Sequence, residues 1–168
     1  EICMHVGFGP IRVNQTVGSM VSHLHPEHPT HFFTATAAPC TSIFKPAWID
    51  SGLPEMGPTP QGVYDPVTLF WQHERLHRLT LQDYPRRIAA YCAERDELEQ
   101  GFVSRALELA AAPAEERRAF TEECFSAARQ AEANWLDRVR KTPAQNPPGW
   151  LYQKAWEGFN RQARMPMD

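Results

Sequence analysis

Cysteine is scarce in this sequence, and positive charge is in no excess. The four cysteines, Cys3, Cys40, Cys92 and Cys124, lie far apart and form no Cys-x-x-Cys pair, so neither a disulfide framework nor a cysteine-rich zinc site is expected. They read as reduced thiols, mostly buried. Lys and Arg number 17 against 20 Asp and Glu, a net charge of −3. Sequence-independent binding of nucleic acid needs a surplus of Lys and Arg to displace counterions from phosphates, so no nucleic-acid partner is expected. No apolar run approaches the roughly 18 residues that span a bilayer, and the start Glu1-Ile2-Cys3-Met4-His5 lacks the charged segment and apolar core of a signal peptide. The expectation is one structural domain of cytoplasmic location with no membrane partner.

Charge is also unevenly spread. Residues 1–60 hold only two of the 17 basic residues, Arg12 and Lys45, and four of the 20 acidic ones, while five of the seven histidines fall before residue 32. Such a shift separates a half-buried, strand-rich region from solvated amphipathic helices. Strand-like segments punctuated by Gly and Pro recur at residues 1–7, 15–24, 30–37 and 41–46. In the first, Ile2, Met4 and Val6 alternate with Cys3 and His5; in the second, Val17 and Val21 oppose Met20 and Leu24. Both faces therefore carry apolar weight, as a sheet covered on both sides requires. His25-Pro26-Glu27-His28-Pro29 suits a hairpin connection, because the prolines remove donors where pairing must stop. The fold class expected is α+β, with an antiparallel sheet segment over 1–49, a Gly/Pro-rich loop over 50–65 and a helical region over 66–168.

Four helices are expected in that last region. Asp65 as N-cap and Pro66 at the first helical position open a helix to about Asp83. A second runs from about Pro85 to Ala111, with Ile88, Tyr91, Cys92, Leu98 and Phe102 on its apolar stripe. A third carries Phe120, Cys124, Ala128, Ala131, Trp135 and Val139 at three- and four-residue spacing. Its early Glu115 and Glu116 and late Arg138, Arg140 and Lys141 complement the helix dipole. After Pro147-Pro148-Gly149, a short last helix bears Trp150, Leu151, Trp156 and Phe159. Trp135, Trp150 and Trp156 are expected in the core.

His73-Glu74-Arg75-Leu76-His77 matches the His-Glu-x-x-His pattern, in which histidines one helical turn apart bind zinc and the glutamate acts as base on metal-bound water. Glu94, Glu97 and Glu99 downstream could supply a third ligand, so a zinc metallopeptidase is one alternative. The pattern fixes only three positions, and hydrogen bonding of both imidazoles to neighbours is the reading preferred. His23, His25, His28 and His31 are assigned to a polar hairpin rather than to a metal, and Cys3 with His5, and Cys40, to packing. No cofactor and no metal are expected.

Three runs carry a family resemblance: Ile2-Cys3-Met4-His5; Arg12 followed by Gln15-Thr16-Val17-Gly18-Ser19-Met20-Val21-Ser22; and Phe33-Thr34 with Thr36-Ala37-Ala38-Pro39-Cys40-Thr41-Ser42-Ile43-Phe44-Lys45-Pro46. Together with Phe70-Trp71, His73-Glu74, Leu76-His77-Arg78 and the segment Glu94 to Glu99, they resemble the secernin and bacterial dipeptidase family of N-terminal-nucleophile cysteine hydrolases over residues 2–102. The resemblance implies a layered αββα fold and a dipeptidase or amidase whose first residue is a cysteine. That thiolate attacks an amide carbonyl and the free α-amino group serves as base. The matching segments follow the midpoint of the family's chain, and residue 1 here is Glu. The expectation is a C-terminal half, inactive alone, whose partners are the upstream half of the same hydrolase and a small peptide or amide substrate; a homo-oligomer is compatible with it. A non-catalytic interaction module is a further alternative. Within this half, Arg12, Gln15, Thr16 and Ser19 are the expected substrate-binding residues. A guanidinium can hold a carboxylate through two parallel hydrogen bonds, the other three supply neutral donors, and Gly18 permits close approach.

Overall fold

The computed structural model describes residues 3–7 and 12–166. The architecture is α+β: a three-stranded antiparallel sheet followed by helices, all in one chain order. Strands β1 (Met20–His23), β2 (Thr30–Phe33) and β3 (Lys45–Ala47) lie in that order across the sheet. Val21 pairs with Phe32 and Phe32 with Pro46, and one residue along Met20 pairs with Phe33 and Phe33 with Lys45. The strands are shorter than the sequence suggests. β2 stops at Phe33 because Ala35 and Ala38 adopt left-handed backbone (φ 54° and 47°), which a ladder cannot contain. The connection β1–β2 is the expected hairpin, capped by the His25 ring: its Nδ1 accepts from the amides of Glu27 and His28, both at 3.3 Å.

The first expected strand falls partly outside the described residues, Ile2 among them, and residues 3–7 add no strand to the sheet. They run beside residues 12–18 instead: Met4 N donates to Thr16 Oγ1 (2.9 Å) and Thr16 N to Met4 O (3.0 Å). The 50–65 region is irregular as expected, and its two turns use Gly52 and Gly57 at φ 77° and 76°, where a Cβ would be strained.

The helices are α1 (Leu69–Thr80), the one-turn α2 (Tyr84–Ile88), α3 (Cys92–Glu108), α4 (Ala114–Lys141) and α5 (Trp150–Gln162). Two boundaries differ from expectation. Asp65 does not cap α1; its carboxylate takes the Val67 amide (3.1 Å) in a turn, and Thr68 is the cap, its hydroxyl accepting from Trp71 N. The expected second helix is broken at residues 89–91, where Tyr91 leaves helical geometry (φ −144°). Its buried ring stacks on Trp135, 5.2 Å between centroids. That tertiary contact overrides an apolar period that would otherwise continue.

The largest core lies where α4 meets α1 and α3: Leu76, Phe102, Cys124, Ala128, Trp135 and Val139 are buried there together with Ile43 ahead of β3. A second cluster seats Phe32 and Trp48 on Ala106 of α3 and on Leu109, the residue that caps its end. Helices therefore cover the sheet from the β2–β3 side, while Met20, Val21 and Leu24 at the β1 edge stay 58%, 55% and 81% exposed. Trp150, expected in the core, is exposed; Trp135 and Trp156 are buried. Among the described residues no helix is long and apolar enough to cross a membrane.

Candidate functional site

The inward stripe of α1 is partly polar: Leu69, His73, Leu76, His77 and Thr80 recur at three and four residues, and all are buried. Buried imidazoles must find partners. His73 Nδ1 lies 3.0 Å from Glu132 Oε1 of α4, and its Nε2 lies 3.2 Å from Thr41 Oγ1. His77 Nδ1 lies 3.4 Å from the same hydroxyl, which is also 2.9 Å from Ala38 O. Burial, then the charges of His73, His5 and Arg78, hold the His77 imidazole well below its ordinary range, so it is neutral. For Glu132, burial works to raise the carboxyl, but His73 and Lys45 outweigh it and keep it ionised. Lys45 is itself buried beside this group. Its Nζ donates to Thr34 O (2.6 Å) and Ile43 O (2.7 Å), and burial lowers its pKa to about 8 against the pull of Glu132 and Glu99.

The order Glu132, His73, Thr41 is that of an acid, a base and a hydroxyl nucleophile, yet all three are closed to solvent and no substrate carbonyl can reach the Thr41 oxygen. What the set does is hold the 3-10 turn Pro39–Thr41 onto α1. The two imidazoles of the His-Glu-x-x-His pattern converge on a hydroxyl that sits between them. Glu74 is engaged elsewhere, taking Arg78 Nη2 (2.7 Å) and Gln15 Nε2 (3.1 Å). Nor do the expected third ligands reach the pair: Glu94 pairs with Arg138, and Glu99 accepts from the Phe44 amide (2.7 Å). The carboxylate that does reach His73 is Glu132, whose sequence signal is its place among apolar positions of a helical stripe. It lies four residues after Ala128 and three before Trp135, on the buried stripe of α4.

The four expected substrate-binding residues do not converge on one point. Gln15 lines a cleft of about 300 Å³ between residues 13–17 and helices α1 and α5, together with Trp71, Glu74, Arg78 and Trp156. Its Oε1 is buried there with no hydrogen-bond partner. Arg78 lies 5.4 Å from the ring centroids of both Trp71 and Trp156 and donates to Asn160 Oδ1 (2.8 Å). Arg12 is exposed and lines an adjoining cleft that shares Val13, Phe159 and Gln162 with the first. Thr16 holds the Met4 backbone, as above. Ser19 joins the β1 approach to residue 34: its amide donates to Thr34 Oγ1 (3.0 Å) and its carbonyl accepts from Thr34 N (3.1 Å).

One grouping was not anticipated. Cys3, His5 and Cys40, each assigned to packing from the sequence, meet with their ligand atoms all within 4.8 Å of one another, Cys40 Sγ lying 3.3 Å from His5 Nε2. The four hairpin histidines form no such group: among the described residues it is the one set of three or more metal-ligating side chains. His31 bonds Ser22 Oγ (2.9 Å), and His25 stacks on His28. Burial, then the neighbouring Cys3, push the Cys40 thiol up to about 12, so without a cation it is protonated and not an activated nucleophile.

Comparison with models of known protein families, with curated proteins and with solved structures finds no match.

The neutral His77 makes stability pH-dependent. Its folded pKa is depressed, so below its ordinary value of about 6.5 the unfolded chain binds the extra proton and the folded one does not. The stabilisation is complete above that value and is lost as pH falls. Unfolding free energy measured by denaturant between pH 7 and pH 5 should fall with acidification, this group giving a slope of at most about 1.4 kcal/mol per pH unit. His77→Gln should flatten the slope; equal slopes in both proteins would contradict the assignment.

Proposed function

We propose that this chain is the C-terminal part of a secernin-like N-terminal-nucleophile hydrolase, a dipeptidase or amidase whose nucleophilic cysteine is the first residue of an upstream half. The observation that carries the reading is the bare β1 edge of the sheet, beside a β3 that is buried at all three residues. Helices α3 and α4 pack against β2 and β3, whereas Val17 before β1, Met20 and Val21 within it and Leu24 just after it are all more than half exposed. Adjacent strand residues point to opposite faces, so Met20 and Val21 bare together mark a strand edge unpaired among the described residues, which strands of a larger αββα sandwich contributed by another segment would extend. The matched runs of the resemblance occupy this region and the helix after it. A reducing, cytoplasmic location suits the four unpaired thiols.

In this reading the Gln15 cleft and the adjoining one with Arg12 take a small peptide or amide. The thiolate of the upstream cysteine adds to the substrate carbonyl, and the tetrahedral intermediate collapses with loss of the amine, which takes a proton. Water then hydrolyses the acyl-enzyme. Arg12 holds the substrate carboxylate through its guanidinium fork and Gln15 meets the amide, while Thr16 and Ser19, bonded to Met4 and Thr34, brace the segment that carries them.

Two measurements test this. The isolated chain, assayed against a panel of dipeptides, should show no turnover. Reconstituted with the N-terminal half of a secernin-like hydrolase it should turn them over, and Cys→Ala at the first residue of that half should abolish the activity. Turnover by the isolated chain refutes the reading. In the reconstituted enzyme Arg12→Lys should lower kcat/KM about tenfold or more, since a point charge cannot replace the fork; unchanged kinetics would remove Arg12 from the site.

A further inference from the structure

We propose that Cys3, His5 and Cys40 bind one zinc ion as a three-ligand site with a fourth position open to water or another donor. Two soft sulfurs and an imidazole are the donors zinc favours, and a tetrahedral ion with Zn–S of about 2.3 Å and Zn–N of about 2.0–2.1 Å sets sulfur and nitrogen about 3.6 Å apart. Cys40 Sγ and His5 Nε2 stand at 3.3 Å, and no pair of the three ligand atoms is more than 4.8 Å apart. The Cys40–His5 pair needs a shift of about 0.3 Å to admit the ion, and a pair at the 4.8 Å limit would close by about 1 Å.

The backbone that carries the ligands is held from behind, while His5 Nδ1 is buried with no hydrogen-bond partner among the described residues. Thr16 links the two segments. It exchanges hydrogen bonds with Met4, between Cys3 and His5, and its carbonyl accepts from the Ala38 amide (2.9 Å), two residues before Cys40. The Pro39–Thr41 turn that presents Cys40 is fixed by Thr41 on His73 and His77 and by Arg95 Nη1 on Cys40 O (2.7 Å). The His5 ring stacks on His77, 6.2 Å between centroids. On binding, the two S–H bonds break, two Zn–S bonds form and both protons leave to solvent, while His5 gives a ring-nitrogen lone pair. The product, one dication with two thiolates, is neutral and sits beside the Arg95 cation. The inference does not rest on the hydrolase reading, and dipeptide turnover is not its readout.

The test uses the whole chain, reduced and freed of metal. Titration with Co²⁺ should give one equivalent bound with a thiolate-to-cobalt charge-transfer band, bleached by one equivalent of Zn²⁺. Competition against a chromophoric chelator should show zinc affinity lowered about a hundredfold or more by Cys3→Ser, Cys40→Ser or His5→Ala, and unchanged by His25→Ala in the hairpin. Absence of cobalt binding, cobalt bound without the thiolate band, or unchanged affinity in the two serine variants would each overturn the proposal. The wild-type spectrum decides even if a variant fails to fold.

Discussion

Thr41 offers one hydroxyl to two buried imidazoles, and the arrangement of the first half of the chain depends on it. Polar groups on the inward stripe of α1 cost free energy unless each finds a partner, about 1–3 kcal/mol for every one left unmade. His73 is satisfied at both nitrogens, by Glu132 of α4 and by Thr41, so a single side chain ties α1 to α4 on one side and to the Pro39–Thr41 turn on the other. That turn lies between β2 and β3. Its position sets where β3 enters the sheet and where Lys45 meets Glu132.

Both candidate sites hang from the same tie. Cys40 precedes Thr41, so fixing the hydroxyl against α1 fixes the thiol's place facing His5. The helical turn that supplies His73 and His77 also supplies Glu74 and Arg78, which wall the Gln15 cleft from the other side of α1. A helix whose buried stripe is polar is less stable on apolar grounds than one of leucines, but it sits in one register. A shift by one residue would leave Glu132 and His73 unpaired in the interior and Thr41 with Ala38 O alone.

Much of this architecture is legible in the residues. The buried stripe of α4 follows from spacing, its charge distribution from the dipole, and the hairpin from Pro26 and Pro29; on α1 the apolar spacing misses the buried His73, His77 and Thr80, and Trp150 and Leu151 of α5 lie exposed. What is not legible is anything decided by contacts remote in sequence. The break before Tyr91 comes from its stacking on Trp135, and the shortness of β2 from left-handed Ala35 and Ala38, positions where alanine gives no warning. Cys3 and Cys40 meet only because Thr16 bridges Met4 and Ala38, which spacing cannot reveal. Glu132 and Lys45 are intermediate cases. Each is a charge set among apolar positions, which marks it as a buried group that must be paired.

A double-mutant cycle on Thr41→Val and His73→Phe, followed by chemical denaturation, tests the central claim most directly. If the shared hydroxyl ties the turn to α1, each single change strands a buried partner and costs about 1–3 kcal/mol, and the double mutant loses less than the sum by about 1 kcal/mol or more. Additivity within about 0.5 kcal/mol would show that the two side chains act independently and that the turn is held by something else.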